Sequence, residues 1–332
     1  MKTTIELKIG GKSVGGVISR YVKSIGYRET VDGEADTLEL TMHDAEGLFI
    51  DEWFPPRGTS VELTLLDEEF NRMDLGSFVI DEVENTSDGG GSQCKMKANS
   101  IPPGSAAKNV EKSRSWEDVT LKRIALDVAS DAGLNLRFRA SDDPHYDRLE
   151  QSEQSDLSFL YKLCRDAGLS MKVNDRQLVI FDYELYEAKS AVGTLSRHLI
   201  KRFTGKKTLN EVYTSCEVKY KDGGKGELIA SATGASGVLS GLMGGGGRTL
   251  KVNKRVSSAG DAQRLAKKKL REQNRKETTV QVTAVGNFVY RCGATLNIEG
   301  YGVYDGKYLI DKADHKVGRG GYEVSMELTK CQ

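Results

Sequence analysis

Polar and apolar residues alternate over much of the chain, and this alternation predicts strands at both ends. In "DTLELTMHD", Leu38, Leu40 and Met42 fall on one face and Thr37, Glu39 and Thr41 on the other; "SVELTLLD" repeats the pattern with Val61, Leu63 and Leu65. "GSFVIDEVENTSDGGGSQCKMKANS" predicts a strand around Phe78–Val83, a Gly-rich turn over Ser87–Ser92, and a returning strand around Cys94–Ala98. Residues 1 to about 105 therefore read as antiparallel β, a barrel or a sandwich. From about 195 the pattern returns in "NEVYTSCEVKY", "ETTVQVTAVG", "GATLNIEG", "GKYLIDKADH" and "GYEVSMELTK". Asp305-Gly306 in "GVYDGKYLI" predicts a tight hairpin turn, because Gly accepts positive φ.

Between these regions the period changes to that of a helix. In "SWEDVTLKRIALDVASDAG", Leu121, Ile124, Ala125 and Val128 make one stripe, with Ser115 as expected N-cap, Glu117 and Asp118 in the first turn, and Gly133 as the stop. "QSDLSFLYKLCRDAG" predicts a second helix, with Ser155 as cap, a stripe of Leu157, Leu160, Tyr161 and Cys164, and Gly168 at the end. "LSMKV" and "RQLVIFDY" follow as strands joined at Asn174 and Asp175. A further helix is expected at 258–274, capped by Ser258 with Asp261 at N3 and with Ala262, Leu265, Ala266 and Leu270 inward. Before it lies a Gly- and Ser-rich stretch, 233–248, which reads as a mobile loop. The expected fold is mainly β with an α+β middle region: 1–105 β, 106–194 α+β insert, 195–332 β with one helix.

Composition narrows the functional classes. The 332 residues carry 48 Lys plus Arg against 48 Asp plus Glu, so no general attraction to nucleic acid or an anionic membrane is implied. There is no apolar run of bilayer-spanning length, and "MKTTIELKIGGKS" lacks a secretory h-region, which leads us to expect folding in a cytoplasm. Five scattered cysteines without a C-x-x-C pair and four scattered histidines propose neither a metal site nor a cofactor.

Individual motifs add little chemistry. Cys164 shares a stripe with Leu157 and Leu160 and reads as a packing residue before a nucleophile. Glu150, Glu153 and Asp156 could be imagined as hydrolase carboxylates, yet surface and capping acids explain them as well. "GLMGGGGR" lacks the Gly-Lys-Ser/Thr ending of a phosphate-binding loop. Lys267, Lys268, Lys269 and Arg271 could contact nucleic acid, yet on a helix whose other face is apolar they read as the solvated side of the helix at 258–274. Trp53 and Phe54 in "DEWFPPRG" either anchor a partner or fold back to close the end of the first β region; they are the partner-contact candidates.

Six segments taken in order, "GEADTLELTMHD", "PPRGTSVELTLL", "LGSFVIDEVE", "KSRSWEDVTLKRIALDVASDAGL", "EQSEQSDLSFLYKLCRDAGLSMKV" and "GKYLIDKADHKVGRGGYEVSMEL", resemble the phage late control protein D family. These are baseplate tail-hub proteins of contractile tails, similar also to the hub part of type VI secretion spikes. The resemblance covers nearly the whole chain, and the Gly-rich loop departs from it. It implies two small barrel-like hub domains per chain and a non-enzymatic homotrimeric ring joining a sixfold tail tube above to a threefold spike below. Other baseplate proteins and the tape measure are implied as further neighbours, with passage of DNA through the ring but no specific DNA binding. Assembly in the host cytoplasm and residence in a phage or tail-like particle follow. Two other readings remain open: a tail-associated cell-wall hydrolase using Glu150 and Glu153, and a host-surface binding module.

Overall fold

The computed structural model describes residues 3–13, 19–101, 105–208, 212–222, 226–233, 248–253 and 258–332. The first region forms β1 (Thr4–Ile9), β2 (Lys12–Ser13), β3 (Val22–Thr30), β4 (Thr37–His43), β5 (Ser60–Leu66), β6 (Arg72–Asp88) and β7 (Gly91–Asn99). The alternating residues behave as read: Leu38, Leu40, Met42, Val61, Leu63 and Leu65 are all buried. The strand predicted at Phe78–Val83 is the middle of the 17-residue β6, and β6 and β7 form the expected hairpin.

The middle region holds α1 (Ala106–Asn109), β8 (Glu111–Thr120), α2 (Leu121–Asp131), β9 (Asn135–Arg139), β10 (His145–Ser155), α3 (Asp156–Asp166), β11 (Ser170–Asn174), β12 (Gln177–Phe181) and α4 (Tyr183–Glu187). Its own core joins Leu121, Ile124, Ala125, Val128, Leu160 and Cys164 to the strands β11 and β12. Gly133 and Gly168, at φ of 66° and 69°, stop α2 and α3 as expected. The cap of α2 is a correction. Ser115 and Asp118 sit in β8, paired with β10, and Thr120 is the N-cap, its hydroxyl accepting from the Arg123 N–H. The stripe begins only at Leu121, and Trp116 stacks at 5.5 Å on Phe159, so packing of the aromatic ring holds this segment extended. The β11–β12 turn falls one residue later than read, with Asp175 and Arg176 at positive φ between the paired Asn174 and Gln177.

The last region contains β13 (Ala191–Ser196), β14 (Ile200–Lys207), β15 (Ser215–Asp222), β16 (Gly226–Thr233), β17 (Thr249–Asn253), α5 (Ala259–Asn274), β18 (Thr278–Val285), β19 (Thr295–Glu299), β20 (Gly306–Gly318) and β21 (Gly321–Lys330). Two expectations change here. Segment 215–220 of "NEVYTSCEVKY" does not enter a barrel: it lies in β15, which pairs with β16 and β17 in a separate three-stranded sheet covered by α5. Cys216, Val218, Ala262, Leu265, Ala266 and Leu270 form a small core of their own, so this unit is an excursion between β14 and β18. The Asp305-Gly306 pair does not make a two-residue hairpin either. β19 and β20 are joined across 300–305, a loop containing the 3₁₀ turn Gly302–Tyr304, with Tyr301 N–H bound to Asp305 Oδ1. Of the Gly-rich stretch 233–248, residues 234–247 lie outside the described residues.

The two β regions repeat one strand order, although β1 pairs antiparallel with β5 and β13 pairs parallel with β19. Hydrogen-bonded strand order is β1-β5-β6-β7-β4-β3 in the first and β13-β19-β20-β21-β18-β14 in the last. The repeat extends to irregularities: β3 and β14 each bulge after their first residue against β4 and β18, and β6 and β20 each bulge against β7 and β21, after Ile80 and Ile310. Antiparallel pairing of β20 with β3 fuses the two halves into one sheet over one continuous apolar core.

Candidate functional site

The residues singled out by sequence do not converge. Trp53 is half-buried, its ring edge-on to Tyr21 at 5.5 Å and Phe49 at 5.7 Å, and it packs on the barrel core. Phe54 beside it is 46% exposed. Glu150 is exposed and ion-paired with Arg148, and Glu153 is exposed at a bulge in β10 with φ of 46°. Asp156 instead is fully buried at the start of α3, held by Lys112 at 2.6 Å, Arg114 at 2.8 Å and the Gln151 amide at 3.0 Å. Its lone pairs are committed to structure, and no pair of carboxylates faces across a cleft there. The Cys164 thiol is buried in the insert core, and burial pushes it up to about 12, far from a reactive thiolate. Among the described residues no group of three or more His, Cys, Asp or Glu side chains could hold a metal. No helix there is long and apolar enough to cross a membrane.

The basic run on α5 is a further correction. Lys267 is exposed, but Lys268 meets Asp182 at 3.1 Å, Lys269 donates to the Arg165 carbonyl at 2.6 Å, and Arg271 binds Glu184 and Glu187. Three of these four cations therefore dock α5 on the middle region. Their partners are remote in sequence, which is why the run looked solvated.

What the fold does assemble is a buried polar junction where β3 leaves the sheet. Glu29, 3% exposed, receives Arg291 Nε at 3.0 Å on both oxygens, the Cys292 N–H at 2.8 Å and the Tyr27 hydroxyl at 3.2 Å, with His315 Nε2 at 3.4 Å. Burial alone would raise its pKa. The His315 hydrogen bond, the Arg291 charge and the Cys292 N–H outweigh burial and hold the carboxyl at about 2. Seven residues on, buried Asp36 accepts from Lys172 of β11 at 2.9 Å; burial is the larger influence on it and raises its pKa. Asp32 takes hydrogen bonds from Ser170 at 2.8 Å and Tyr183 at 2.9 Å. Arg275, after α5, lies 3.4 Å over the Tyr183 ring and binds Asp311 of β20 at 2.6 Å. Glu29, Asp36 and Asp311 are each met by a cation and Asp32 by two hydroxyls, so the junction suits clamping the barrels, the middle region and α5 together.

The sequence held one signal for this network. Ile25, Tyr27 and Glu29 share a strand face, as do Ala313, His315 and Val317, so an acid and a histidine stand at inward positions. A charge in an inward register requires a buried partner, although the pattern does not say which one.

A broad polar sheet surface remains. The run β14-β18-β21-β20-β3-β4-β7-β6 is antiparallel throughout. Its face away from the core carries cross-strand ion pairs, among them Arg28–Asp314, Lys95–Glu39 and Lys97–Glu82.

Residues 184–329 match the family described as YQBQ-like. A probable baseplate hub protein of Escherichia phage P2 is 27% identical over 177 residues, which is 52% of this chain and 43% of that protein. Over that half of its length the chain is similar to a phage baseplate-hub protein. The match spans less than half the length of that curated relative. In fold it is similar to a tail protein from Neisseria meningitidis MC58, at a TM-score of 0.74 and 14% identity, over 99% of this chain and 97% of that one. The 43 kDa tail protein of prophage MuSo2 from Shewanella oneidensis gives a TM-score of 0.73 at 15% identity, over 99% and 98%. The E. coli c3393 protein, a type VI secretion component with structural similarity to the phage T4 tail proteins gp27 and gp5, gives 0.64 at 12% identity, over 98% and 77%. The hub fold expected from the sequence, mainly β with two barrel-like parts and an α+β insert, is the fold observed.

Proposed function

We propose that this chain is a structural, non-enzymatic hub of a contractile phage tail or tail-like injection particle. Three copies form a ring that adapts a sixfold tail tube to a threefold central spike. The observation that carries the reading is the internal repeat: two barrel-like halves with one strand order, joined edge to edge by β20 and β3. A chain built this way presents two similar units to a neighbour above. Closed by a threefold head-to-tail interface, it offers a nearly sixfold surface on one side and a threefold one on the other. Residues 1–105 and 195–332 supply the ring, and 106–194 decorates it, clamped in place by the polar junction around Glu29 and Asp36.

In this reading the partners are tube or tube-initiator protein above, spike below, other baseplate proteins and the tape measure, in a particle assembled in the host cytoplasm. The charge-paired sheet face suits the channel side, because a surface whose cations are matched by acids gives a passing polyanion few free charges to hold. Trp53 and Phe54 divide in role: Trp53 closes the barrel end, while exposed Phe54 is the partner-contact candidate. Electron-microscope imaging of the purified protein, alone and mixed with its spike, tests the reading. Closed three-chain rings with six lobes are expected, and monomers in both samples would overturn it.

A further inference from the structure

The eight-stranded antiparallel run ends in two open edges of opposite charge. At one end, Glu82–Asp88 of β6 pair with β7 on one side and, among the described residues, with no strand on the other. At the opposite end, β14 pairs, among the described residues, with β18 alone. The open stretch of β6, "DEVENTSD", carries Asp81, Glu82, Glu84 and Asp88 and no cation; β14, "IKRFTGKK", carries Lys201, Arg202, Lys206 and Lys207 and no acid. Long unprotected edges are templates for further pairing, and an even number of strands makes the two edges antiparallel to each other in a head-to-tail array.

The chain already shows such a joint once. In the internal repeat β3 corresponds to β14 and β20 to β6, so the β20–β3 seam inside the chain is the counterpart of a β6–β14 seam between chains. The matching bulges fix the correspondence residue by residue. Aligning Ile310 with Ile80 puts Asp314 on Glu84 and Gly318 on Asp88; aligning Val22 with Ile200 puts Arg28 on Lys206 and Ser24 on Arg202. Within the chain Asp314 lies opposite Arg28 and the two form an ion pair. Carried to the open edges, that register sets Glu84 opposite Lys206 and Asp88 opposite Arg202. Glu84, Lys206 and Arg202 have no ion-pair partner among the described residues, and the Asp88 carboxylate is met only by the Gly90 N–H at 2.7 Å.

A further atom agrees. Asn85 Oδ1 is buried without a hydrogen-bond partner, and Asn85 corresponds to His315, which reaches across the internal seam to Glu29. The counterpart of Glu29 on β14 is Lys207, an ammonium that can donate to the orphaned oxygen.

We propose that the open edge of β6 in one copy pairs antiparallel with β14 of a second copy, with Glu84 opposite Lys206 and Asp88 opposite Arg202, repeating the internal β20–β3 seam. The inference rests on the ring reading above and names its seam. The 332-residue chain tests it by native mass spectrometry over a concentration series. Glu84→Lys and Lys206→Glu alone each place like charges across every seam and should raise the concentration for half-assembly by about tenfold or more. The two changes together in one chain restore opposite charges and should return assembly towards wild type. Independently, Glu84→Cys with Lys206→Cys should give covalent three-chain species on mild oxidation, and neither single change should. If wild-type rings form but ignore both charge reversals and no cross-link appears, the seam is elsewhere while the hub reading stands. If the wild-type chain forms no ring alone or with its spike, the hub reading fails and takes the seam with it.

Discussion

Replacing Glu29 by Gln removes the anion around which the buried junction is organised. The Gln keeps the shape and one acceptor but leaves Arg291, which meets both carboxylate oxygens at 3.0 Å, without a counter-charge. Breaking a buried pair from one side costs about 3 to 5 kcal/mol. A second route gives a similar size: the carboxyl falls from the ordinary 4.5 to about 2 on folding, which corresponds to about 3 kcal/mol of stability at neutral pH. Because the folded value is the depressed one, this contribution is fully present above the unfolded value near 4.5 and is lost as pH falls through about 2. Urea unfolding of wild type and Glu29→Gln, followed by tryptophan fluorescence at pH 7 and at steps down to pH 2.5, reads both effects. Glu29→Gln should be less stable by about 3 kcal/mol at pH 7, with the gap shrinking on acidification. A variant within about 0.5 kcal/mol of wild type at pH 7, with a parallel pH profile, would refute the idea that an ionised Glu29 holds the junction.

Trp53→Ala should lower stability by about 2 to 4 kcal/mol in thermal unfolding, because its ring packs on Tyr21 and Phe49, while Phe54→Ala should change it by less than about 0.5 kcal/mol. Cys164 should stay unlabelled by a thiol reagent at pH 8 in the folded protein and react once urea unfolds the insert; rapid labelling of the native chain would contradict its burial. Gly286→Ala should destabilise by more than about 2 kcal/mol, because an added Cβ would stand 2.2 Å from the Tyr322 ring; an unchanged melting temperature would show that the ring moves aside without cost.

Local rules read from the sequence held at several helix ends. Ser258 caps α5, its hydroxyl accepting from the Asp261 N–H, as the Ser-x-x-Asp spacing foretold, and Gly133 and Gly168 end their helices through positive φ. Rules failed where a distant residue decided. Ser115 has the chemistry of a cap, but its segment pairs with β10, and Lys268 and Arg271 have the look of a solvated face but meet Asp182, Glu184 and Glu187. The buried junction was half legible, as inward charges without named partners, because Glu29 and Arg291 stand 262 positions apart.

By itself the sequence determined which residues alternate, where helices start and stop, that Cys164 belongs to a core, and which family of tail hubs the ordered segments resemble. These follow from side-chain period, capping and glycine conformations, which act over a few residues. Only the tertiary structure decided that β15 to β17 leave the barrel, that β20 and β3 weld the halves, and that the halves repeat. That repeat lies in strand order and bulge position, which are properties of pairing between remote segments. Local alternation is compatible with many pairings, and burial of a common core together with satisfaction of every inward charge selects one of them.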